Sequence, residues 1–310
     1  MYQRMLVPLD GSELAEVVFT YTKELAGRLD LEVILLHVAA SGEDGFAPMR
    51  RAYIKHAAET IQRQSREIQK KTGIKPGSKL IQARGELVTG YPAEEILRYA
   101  DENAVDFILM ATHGRSGLRR WTIGSVANKV LHASKVPILL VRSVIPEEPV
   151  SGQWTMKTIL VPLDGSELAE SVLPHVEILA KQRDTKPMDV VLLRVCEPPP
   201  TPTYYGPDFS EVPLNWGQFA QEETDRGKKV AKEYLAEIEK RLKDINISVR
   251  SKVLVGKATD TIVDYANKNP FDLVVMATHG RSGLSRLVYG SVAVNLLHEV
   301  SSPIFLVKPQ

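Results

Sequence analysis

Short apolar runs of strand length alternate along the chain with segments whose apolar residues recur at helical spacing. Runs such as Val33–Leu36 and Ile138–Val141 are apolar throughout, as expected for strands that are covered on both faces. The alternation is typical of βαβ units and predicts an α/β fold with a mainly parallel sheet. Between the first two runs, a predicted helix would face the sheet with Leu14, Val18, Tyr21, Leu25 and Leu29.

The same pattern gives approximate bounds for the elements of each half of the chain. In the first half we predict strands near Met5–Leu9, Glu32–Val38, Lys79–Val88, Phe107–Thr112 and Pro137–Arg142. In the second half we predict strands near Thr158–Leu163, Asp189–Val195, Ser248–Val255, Leu273–Thr278 and Pro303–Val307. Two more helices are predicted over Ala93–Asn103, where Pro92 suits the first turn, and over Phe219–Lys243.

Two stretches of the sequence occur twice, in the same order. Val7–Glu16 recurs letter for letter as Val161–Glu170, and Met110–Leu118 recurs as Met276–Leu284. Such self-similarity indicates a duplicated domain and not a solenoid of short repeats. We place the domains at residues 1–145 and 154–310, joined by a short linker rich in proline and polar residues.

The second half contains extra residues, most of which fall in a proline-rich stretch near residues 197–207 that is predicted to be a surface loop. Smaller insertions fall within residues 181–189. Tyr204, Tyr205 and Trp216 suggest that the loop over residues 197–217 covers a pocket, a partner surface or only itself, and the sequence leaves these alternatives open.

Composition limits the class of protein. The chain has 310 residues, 44% of them hydrophobic and 25% charged, which suits two globular domains and excludes disordered, collagen-like and membrane-embedded classes. A formal net charge of +1 argues against nucleic acid or an anionic membrane as partner.

The single cysteine, Cys196, can form neither an intramolecular disulfide nor an all-cysteine metal site, and we expect a buried core thiol. No apolar segment of signal-peptide length precedes the first strand, and no run approaches the roughly 20 apolar residues of a membrane span. We therefore expect a cytoplasmic protein.

The predicted topology places a ligand site at the carboxyl edge of each sheet. Right-handed crossovers make the first strand central, with the chain changing direction beside it, and such a switch point is where open α/β sheets bind ligands. After the fourth strand come Gly114, nine residues and then Gly124-Ser125, and the second half repeats this with Gly280 and Gly290-Ser291.

Helical spacing resumes after this glycine-serine pair, so Ser125 is the predicted N-cap and Gly124 the residue before it. A helix N-terminus approached through glycine offers free N–H groups and the positive end of the dipole to a phosphate. A capped helix after a loop explains the same spacing without a ligand.

Asp10 and Asp164 directly follow the first strand of each half and precede Gly-Ser. Their carboxylates can accept hydrogen bonds from a ribose or from an adenine amine. An Asp-Gly-Ser turn leading into an N-capped helix accounts for the same residues.

His113 and His279 precede the loop glycines and are candidates for a general base or a metal ligand. The sequence provides neither a second histidine or cysteine at metal spacing nor a nucleophile elbow, so we assign no catalytic and no metal-binding residue. A loop histidine that packs against a ligand is favoured. Arg115 and Arg281 can pair with a phosphate or remain solvated.

In these blocks the chain resembles the universal stress protein family, in its tandem two-domain form. The resemblance covers nearly all of the chain, and its landmarks in the first half are Leu6–Ser12, Leu36–Val38, Gly90–Ile96, Met110–Gly114 and Gly124-Ser125. Nucleotide-binding members have Gly-x-x-Gly, nine residues and Gly-Ser or Gly-Thr in the last stretch. Here Ala111 and Ala277 replace the first glycine.

The resemblance implies two tandem α/β sandwich domains that are Rossmann-like and adenine nucleotide alpha hydrolase-like. Each would contain a five-stranded parallel sheet in the order 3-2-1-4-5. A pseudo-twofold would relate the domains by pairing Ile138–Val141 with Ile304–Val307, which would protect two apolar edge strands within one chain.

The resemblance also implies that each repeat binds ATP or another adenine nucleotide, with or without Mg²⁺ held through the phosphates. In the first repeat the implied site consists of Pro8, Asp10, Val38, Met110, Ala111, His113, Gly114, Arg115, Gly124, Ser125 and Val126. In the second repeat it consists of Pro162, Asp164, Val195, Met276, Ala277, His279, Gly280, Arg281, Gly290, Ser291 and Val292.

Three functions fit the sequence. The first is a stress-response regulator or interaction module that binds ATP and hydrolyses it little or not at all. The second is a nucleotide-free interaction module of the same fold, supported by Ala111 and Ala277. The third is an enzyme, but related ATP pyrophosphatases open with Ser-Gly-Gly-x-Asp-Ser where this chain has Asp10–Ala15, and neither Walker A nor Gly-x-Gly-x-x-Gly occurs. Protein partners and association of two chains stay open.

Overall fold

The computed structural model describes residues 1–40, 42, 44–71, 81–112, 123–142, 154–181, 188–200, 215–278 and 289–309. Both halves alternate strands with helices, as the hydrophobic pattern predicts. The strands of the first repeat are β1 (Arg4–Leu9), β2 (Glu32–Ala39), β3 (Ala83–Thr89), β4 (Phe107–Ala111) and β5 (Ile138–Val141). Those of the second repeat are β6 (Thr158–Pro162), β7 (Asp189–Cys196), β8 (Ser248–Val255), β9 (Leu273–Ala277) and β10 (Ile304–Val307).

The helices connect these strands as crossovers. In the first repeat they are α1 (Glu13–Glu16), α2 (Val18–Leu29), α3 (Ala47–Lys71), α4 (Pro92–Glu102) and α5 (Ser125–Ala133), with a 3₁₀ turn at Asp44–Phe46 before α3. In the second repeat they are α6 (Glu167–Glu170), α7 (Leu173–Ala180), α8 (Trp216–Asp244), α9 (Ala258–Lys268) and α10 (Ser291–Glu299).

All ten of these strands form one sheet in the order β3-β2-β1-β4-β5-β10-β9-β6-β7-β8. Neighbours within each repeat are parallel, and β1 lies between β2 and β4, with Met5 opposite both Val33 and Phe107. The order 3-2-1-4-5 in each repeat is therefore confirmed. The chain reverses direction beside β1 and beside β6, which places the two switch points in corresponding positions.

The repeats join through β5 and β10, which pair antiparallel with Leu139 opposite Phe305. This confirms the predicted pairing of Ile138–Val141 with Ile304–Val307. Two apolar edges thereby become the interior of a continuous sheet, so their backbone groups are paired within one chain.

Helices cover both faces of the sheet because its strands are apolar on both sides. One core cluster contains alternate strand residues such as Val7 and Phe305, which pack under the helices that follow the first two strands of each repeat. The other cluster contains the intervening residues such as Leu6 and Leu306, which pack under α4, α5, α9 and α10. Both clusters run through both repeats.

The structure corrects three details of the sequence prediction. The first predicted helix is two helices, because α1 ends at Glu16 and α2 begins at Val18. Val17 keeps right-handed helical dihedral angles, so the apolar spacing continues across the break. Strand β3 begins at Ala83, well after Lys79. Cys196 is the last residue of β7 and is only partly buried, so it is not the core thiol we expected.

Some predictions fall outside the described residues, namely the linker near residues 145–153 and the loop tyrosines Tyr204 and Tyr205. Trp216, which we assigned to the loop, is instead the first residue of α8. Among the helices in the described ranges, none combines the length and the apolar character that crossing a bilayer requires.

Candidate functional site

A cavity of about 280 Å³ opens at the carboxyl edge of the first repeat, where the ends of β1 and β4 meet the first turn of α5. It is the kind of crevice that a topological switch point creates. Apolar side chains form most of its wall, and Asp10 contributes a carboxylate. The cavity is lined by Pro8, Leu9, Asp10, Ala15, Leu36, Val38, Pro92, Ile96, Met110, Ala111, Thr112, Gly124, Ser125, Val126 and Ala127.

The second repeat has a corresponding cavity of about 400 Å³ beside β6 and β9. Most of its lining residues occupy the positions that match those of the first cavity. It is lined by Pro162, Leu163, Asp164, Ala169, Val195, Glu197, Ala258, Ile262, Met276, Ala277, Thr278, Gly290, Ser291, Val292 and Ala293.

One wall of each cavity is a tight Asp-Gly-Ser turn. Oδ1 of Asp10 accepts hydrogen bonds from the backbone N–H of Ser12 at 3.0 Å and from its hydroxyl at 2.6 Å. Gly11 has φ +79°, a left-handed conformation that glycine adopts without strain. Ser12 caps α1 by accepting from the N–H of Ala15 at 3.2 Å. The local interpretation of this motif is therefore right, and the same turn also places Asp10 in the cavity wall.

The second repeat reproduces this turn in detail. Oδ1 of Asp164 accepts from the N–H and the hydroxyl of Ser166 at 2.9 and 2.6 Å. Ser166 in turn caps α6 through the N–H of Ala169. Identical sequence in the two blocks thus gives identical local hydrogen bonding.

The opposite wall is the N-terminus of α5, and here the sequence prediction is wrong by one residue. The N-cap is Gly124, with φ −60° and ψ 153°, and Ser125 is already helical. A residue inside the first turn cannot use its hydroxyl as an N-cap, because that geometry requires the extended backbone of the preceding residue. Among the described residues no side chain caps this helix, so its first N–H groups face the cavity edge without that partner.

Helix α10 has the same arrangement. Gly290 is the N-cap, and its N–H donates to the carbonyl of Thr278 at 2.9 Å, just as Gly124 donates to Thr112 at 2.7 Å. These bonds attach the start of each helix to the end of the neighbouring strand. The helix N-terminus and its positive dipole end are therefore held at the mouth of the cavity.

The described surroundings of residue 290 do not require a glycine at this position. Its φ of −58° is allowed for any residue, and among the described residues the contact that an added Cβ would make is an ordinary one, 3.5 Å from the carbonyl oxygen of Thr278. A glycine at this position keeps the backbone open to close approach from the cavity side. This is the feature that a bound phosphate needs.

Sixteen of the residues assigned from the sequence line the two cavities. In the first these are Pro8, Asp10, Val38, Met110, Ala111, Gly124, Ser125 and Val126, and in the second Pro162, Asp164, Val195, Met276, Ala277, Gly290, Ser291 and Val292. The remaining assignments lie outside the described residues: His113, Gly114, Arg115, His279, Gly280 and Arg281.

Sequence reasoning missed several wall residues, which are mostly apolar but include two threonines and one glutamate. In the first cavity these are Leu9, Ala15, Leu36, Pro92, Ile96, Thr112 and Ala127, and in the second Leu163, Ala169, Glu197, Ala258, Ile262, Thr278 and Ala293. Pro92 and Ile96 belong to the landmark Gly90–Ile96, so their placement near the site was a signal that could have been used. Nothing in the sequence pattern singled out Glu197.

Glu197 makes the second cavity different from the first. Its Oε1 accepts a 2.7 Å hydrogen bond from the N–H of Ala258, at the start of α9. In the first repeat the matching helix begins with Pro92, which has no N–H to donate. The second cavity therefore has, besides Asp164, a carboxylate held at the start of α9, where Pro92 of the first repeat cannot hold one.

Tyr53 and Tyr234 lie near the Asp-Gly-Ser turns of the first and second repeat. The hydroxyl of Tyr53 donates to Oε1 of Glu16 at 2.7 Å, and burial together with this bond raises the Tyr53 pKa. Burial likewise raises the pKa of Tyr234, over whose ring the guanidinium of Arg194 lies at 4.8 Å. Both phenols stay protonated at neutral pH, so they add no negative charge near the cavities.

The site can bind an anionic ligand with an apolar portion, because it combines apolar walls, a carboxylate acceptor and a helix N-terminus. Within the parts of the chain that the structure describes, no three His, Cys, Asp or Glu side chains form a cluster able to hold a metal ion.

Comparison with known proteins identifies a family. The family model described as "Universal stress protein family" matches residues 1–142 and again residues 155–308. YxiE, a universal stress protein of Bacillus subtilis, is 30% identical over 148 residues, which is 46% of this chain and all of YxiE. The universal stress protein MJ0577 of Methanocaldococcus jannaschii is 30% identical over 155 residues, which is 46% of this chain and 96% of its own.

A solved structure resembles the entire chain. The crystal structure of a universal stress protein from Archaeoglobus fulgidus superposes with a TM-score of 0.64 at 20% identity, covering 99% of this chain and 98% of that one. At this identity the likeness shows a shared two-repeat fold.

Proposed function

Because this chain belongs to the universal stress protein family, we propose that each of its repeats binds an adenine nucleotide, with ATP the first candidate. The nucleotide lies in the cavity at the carboxyl edge of each sheet. Its occupancy changes the surface around the cavity, and protein partners respond to that change in a stress response. Hydrolysis is slow or absent.

One observation carries this proposal: in both repeats a helix N-terminus that no described side chain caps, a carboxylate and an apolar cavity come together at the switch point. In the first repeat these are the start of α5 at Gly124, the side chain of Asp10 and the apolar wall. A phosphate fits the helix N-terminus, and an adenine ring fits the apolar part. The carboxylate can accept a hydrogen bond from a ribose hydroxyl.

Mg²⁺ would enter with ATP, bound through the phosphates and not by a protein cage. Ser125 and Val126, in the first turn of α5, offer backbone N–H groups to the phosphates, and this suits a nucleotide that brings its own cation. The role of the protein is then to position the phosphates, not to bind the metal.

A binding role is proposed in preference to an enzymatic one because of the chemistry of the described wall. Apart from one carboxylate, the first cavity presents apolar groups, hydroxyls and backbone amides. Efficient hydrolysis needs a group that positions or deprotonates the attacking water, and the Oδ1 atom of Asp10 is already held by Ser12.

The experiment is to denature the purified full chain, identify released nucleotides by mass spectrometry and count them per chain. Isothermal titration of the nucleotide-stripped protein with Mg-ATP and Mg-GTP then gives affinity and base preference. We expect one adenine nucleotide per filled cavity, preference for ATP, and phosphate release no faster than in the Gly124→Val/Gly290→Val control. Turnover well above that control would instead indicate an enzyme.

The alternative is an interaction module of the same fold without nucleotide. It is favoured by Ala111 and Ala277, whose side chains line the two cavities and take some of the space there. No released nucleotide, no heat with Mg-ATP and no shift in melting temperature would together support this alternative and contradict nucleotide binding.

A further inference from the structure

A side chain of the first repeat contacts the segment that forms the cavity of the second. The imidazole of His132, in the last turn of α5, meets the ring of Tyr289 edge to face, with centroids 4.7 Å apart and planes at 77°. Tyr289 immediately precedes Gly290, which is the N-cap of α10 and lines the second cavity. The two repeats are therefore in contact at one cavity, as well as along β5 and β10.

His132 is itself held in place. Its Nδ1 lies 2.8 Å from the carbonyl oxygen of Asn128, which can only accept, so Nδ1 carries the proton. Its own carbonyl oxygen accepts a 3.2 Å hydrogen bond from Nζ of Lys308, in the second repeat. A cation at the carboxyl end of a helix also complements the helix dipole.

By the pseudo-twofold, the last turn of α10 lies against the first repeat as the last turn of α5 lies against the second, with one difference. Arg142 of the first repeat donates to the carbonyl oxygen of His298, in the last turn of α10. The residue that matches Tyr289, however, is Ile123, which packs against the core as Tyr289 does but has no ring. An edge-to-face pair of rings therefore connects α5 to the second cavity, and its counterpart cannot form at the first.

We propose that His132 is a positioning residue for the nucleotide cavity of the second repeat; this rests on the proposed function. The N-terminal end of α5 lines the first cavity at Ser125 and Val126, and its last turn holds Tyr289.

The ring contact acts by preorganising the start of α10 for nucleotide binding. Tyr289 is half-buried, and its ring contact with His132 fixes the residue before Gly290 and the first turn of α10. If this contact is lost, nucleotide binding must order the segment at its own cost. An aromatic pair of this geometry corresponds to about a 2- to 10-fold effect on a binding constant.

The test measures each cavity separately in the full chain, by titration with Mg-ATP. In the Gly124→Val background the first cavity is blocked, so the titration measures the affinity of the second. In the Gly290→Val background the second cavity is blocked, so the titration measures the affinity of the first. We expect His132→Ala to weaken the second cavity about 2- to 10-fold and to leave the first within about 2-fold. His132→Phe, which retains a ring, should restore the affinity of the second cavity.

Two further variants separate positioning from general damage. Tyr289→Ile copies the residue of the first repeat, so it should reproduce the loss, and adding His132→Ala should then have little further effect. His298→Ala, at the matching position of α10, should leave the second cavity unchanged. Equal weakening of both cavities by His132→Ala, or no rescue by His132→Phe, would overturn the proposal.

A second measurement does not depend on nucleotide. Hydrogen exchange of the free protein should become faster at the start of α10 in His132→Ala than in the wild type, and His132→Phe should reverse this change. If wild-type protein binds no Mg-ATP, the proposed function fails while this measurement still tests the positioning role. Unchanged exchange at residues 289–294 would contradict that role.

Discussion

The phenol of Tyr2 lies 2.5 Å from Nδ1 of His175, in a hydrogen bond that joins the start of the first repeat to α7 of the second. Phe305 of β10 contacts both rings, at centroid distances of 6.2 and 6.1 Å. Burial, with a smaller effect of Asp106, raises the pKa of Tyr2, so its hydroxyl remains protonated and donates. His175 must therefore accept, and only the neutral imidazole with an unprotonated Nδ1 can do so.

This pair predicts that acid weakens the interface between the repeats. Burial lowers the pKa of His175, so below its unfolded pKa of about 6.5 the unfolded chain binds the proton first. Stability from this group is complete above that pH and decreases as the pH falls toward the folded pKa. Thermal unfolding at about pH 7.5 and about pH 5.5 should show a smaller acid-induced loss in Tyr2→Phe/His175→Phe than in the wild type.

The double variant is the appropriate form of this test, because His175→Phe alone would leave the Tyr2 hydroxyl without its acceptor. Such a loss costs about 1–3 kcal/mol and would obscure the pH effect. An acid-induced loss of the same size in the double variant and the wild type would refute the role of His175.

We predict that adding even one methyl group at Gly85 of β3 lowers the stability of the protein. A Cβ at this position would lie 2.6 Å from the carbonyl oxygen of Ile54 in α3, and a helix backbone cannot move away freely. We expect Gly85→Ala to lower the free energy of unfolding by about 1–3 kcal/mol in urea denaturation. Gly217→Ala is the matched control, since Gly217 is exposed in a helix and the nearest atom in the described ranges, Oδ1 of Asn215, lies 3.8 Å from an added Cβ. This change should be neutral or stabilising.

Two substitutions of Asp10 separate its role in the Asp-Gly-Ser turn from its proposed role in nucleotide binding. Asp10→Asn keeps an Oδ1 acceptor for Ser12, whereas Asp10→Ala removes it and should cost about 0.5–1.5 kcal/mol of stability. Both changes remove the carboxylate, so both should weaken Mg-ATP binding at the first cavity about 10-fold or more. Titration in the Gly290→Val background checks this, and wild-type affinity in Asp10→Asn would show that the carboxylate does not contact the nucleotide.

We predict that a side chain at position 290 abolishes nucleotide binding at the second cavity and leaves the protein folded. Because a Cβ at this position makes no close contact with the part of the chain that the structure describes, only an ordinary one of 3.5 Å with the carbonyl oxygen of Thr278, Gly290→Val should cost no more than about 1 kcal/mol, typical of an N-cap change. Its side chain should nevertheless block close approach of a phosphate and abolish binding at the second cavity. One nucleotide lost per chain, with the melting temperature nearly unchanged, is the expected result. Full occupancy of both cavities would contradict the assignment of Gly290.

Local patterns predicted most strands well, because a strand covered on both faces must be apolar along its length. Ser248–Val255 was located without error, and Glu32–Val38 lacked one residue at its end. The predicted bounds of β3 were less accurate, because the strand begins at Ala83 only through its pairing with β2 from Val33 onward.

The sequence by itself determined the duplication, the α/β class and the location of both candidate sites. These properties depend on residues that are neighbours in the chain, or on blocks that recur with the same local structure. Asp10 and Ser12, two residues apart, form their turn in the same way in both repeats.

Only the tertiary structure decided which residue caps α5, how Glu197 distinguishes the second cavity, and which side chains connect the repeats. Gly124 became the N-cap because its N–H is bound to Thr112 at the end of β4. His132 and Tyr289 meet because antiparallel pairing of β5 with β10 brings two distant segments together. Such contacts depend on strand register and packing direction, which no local hydrophobic pattern records.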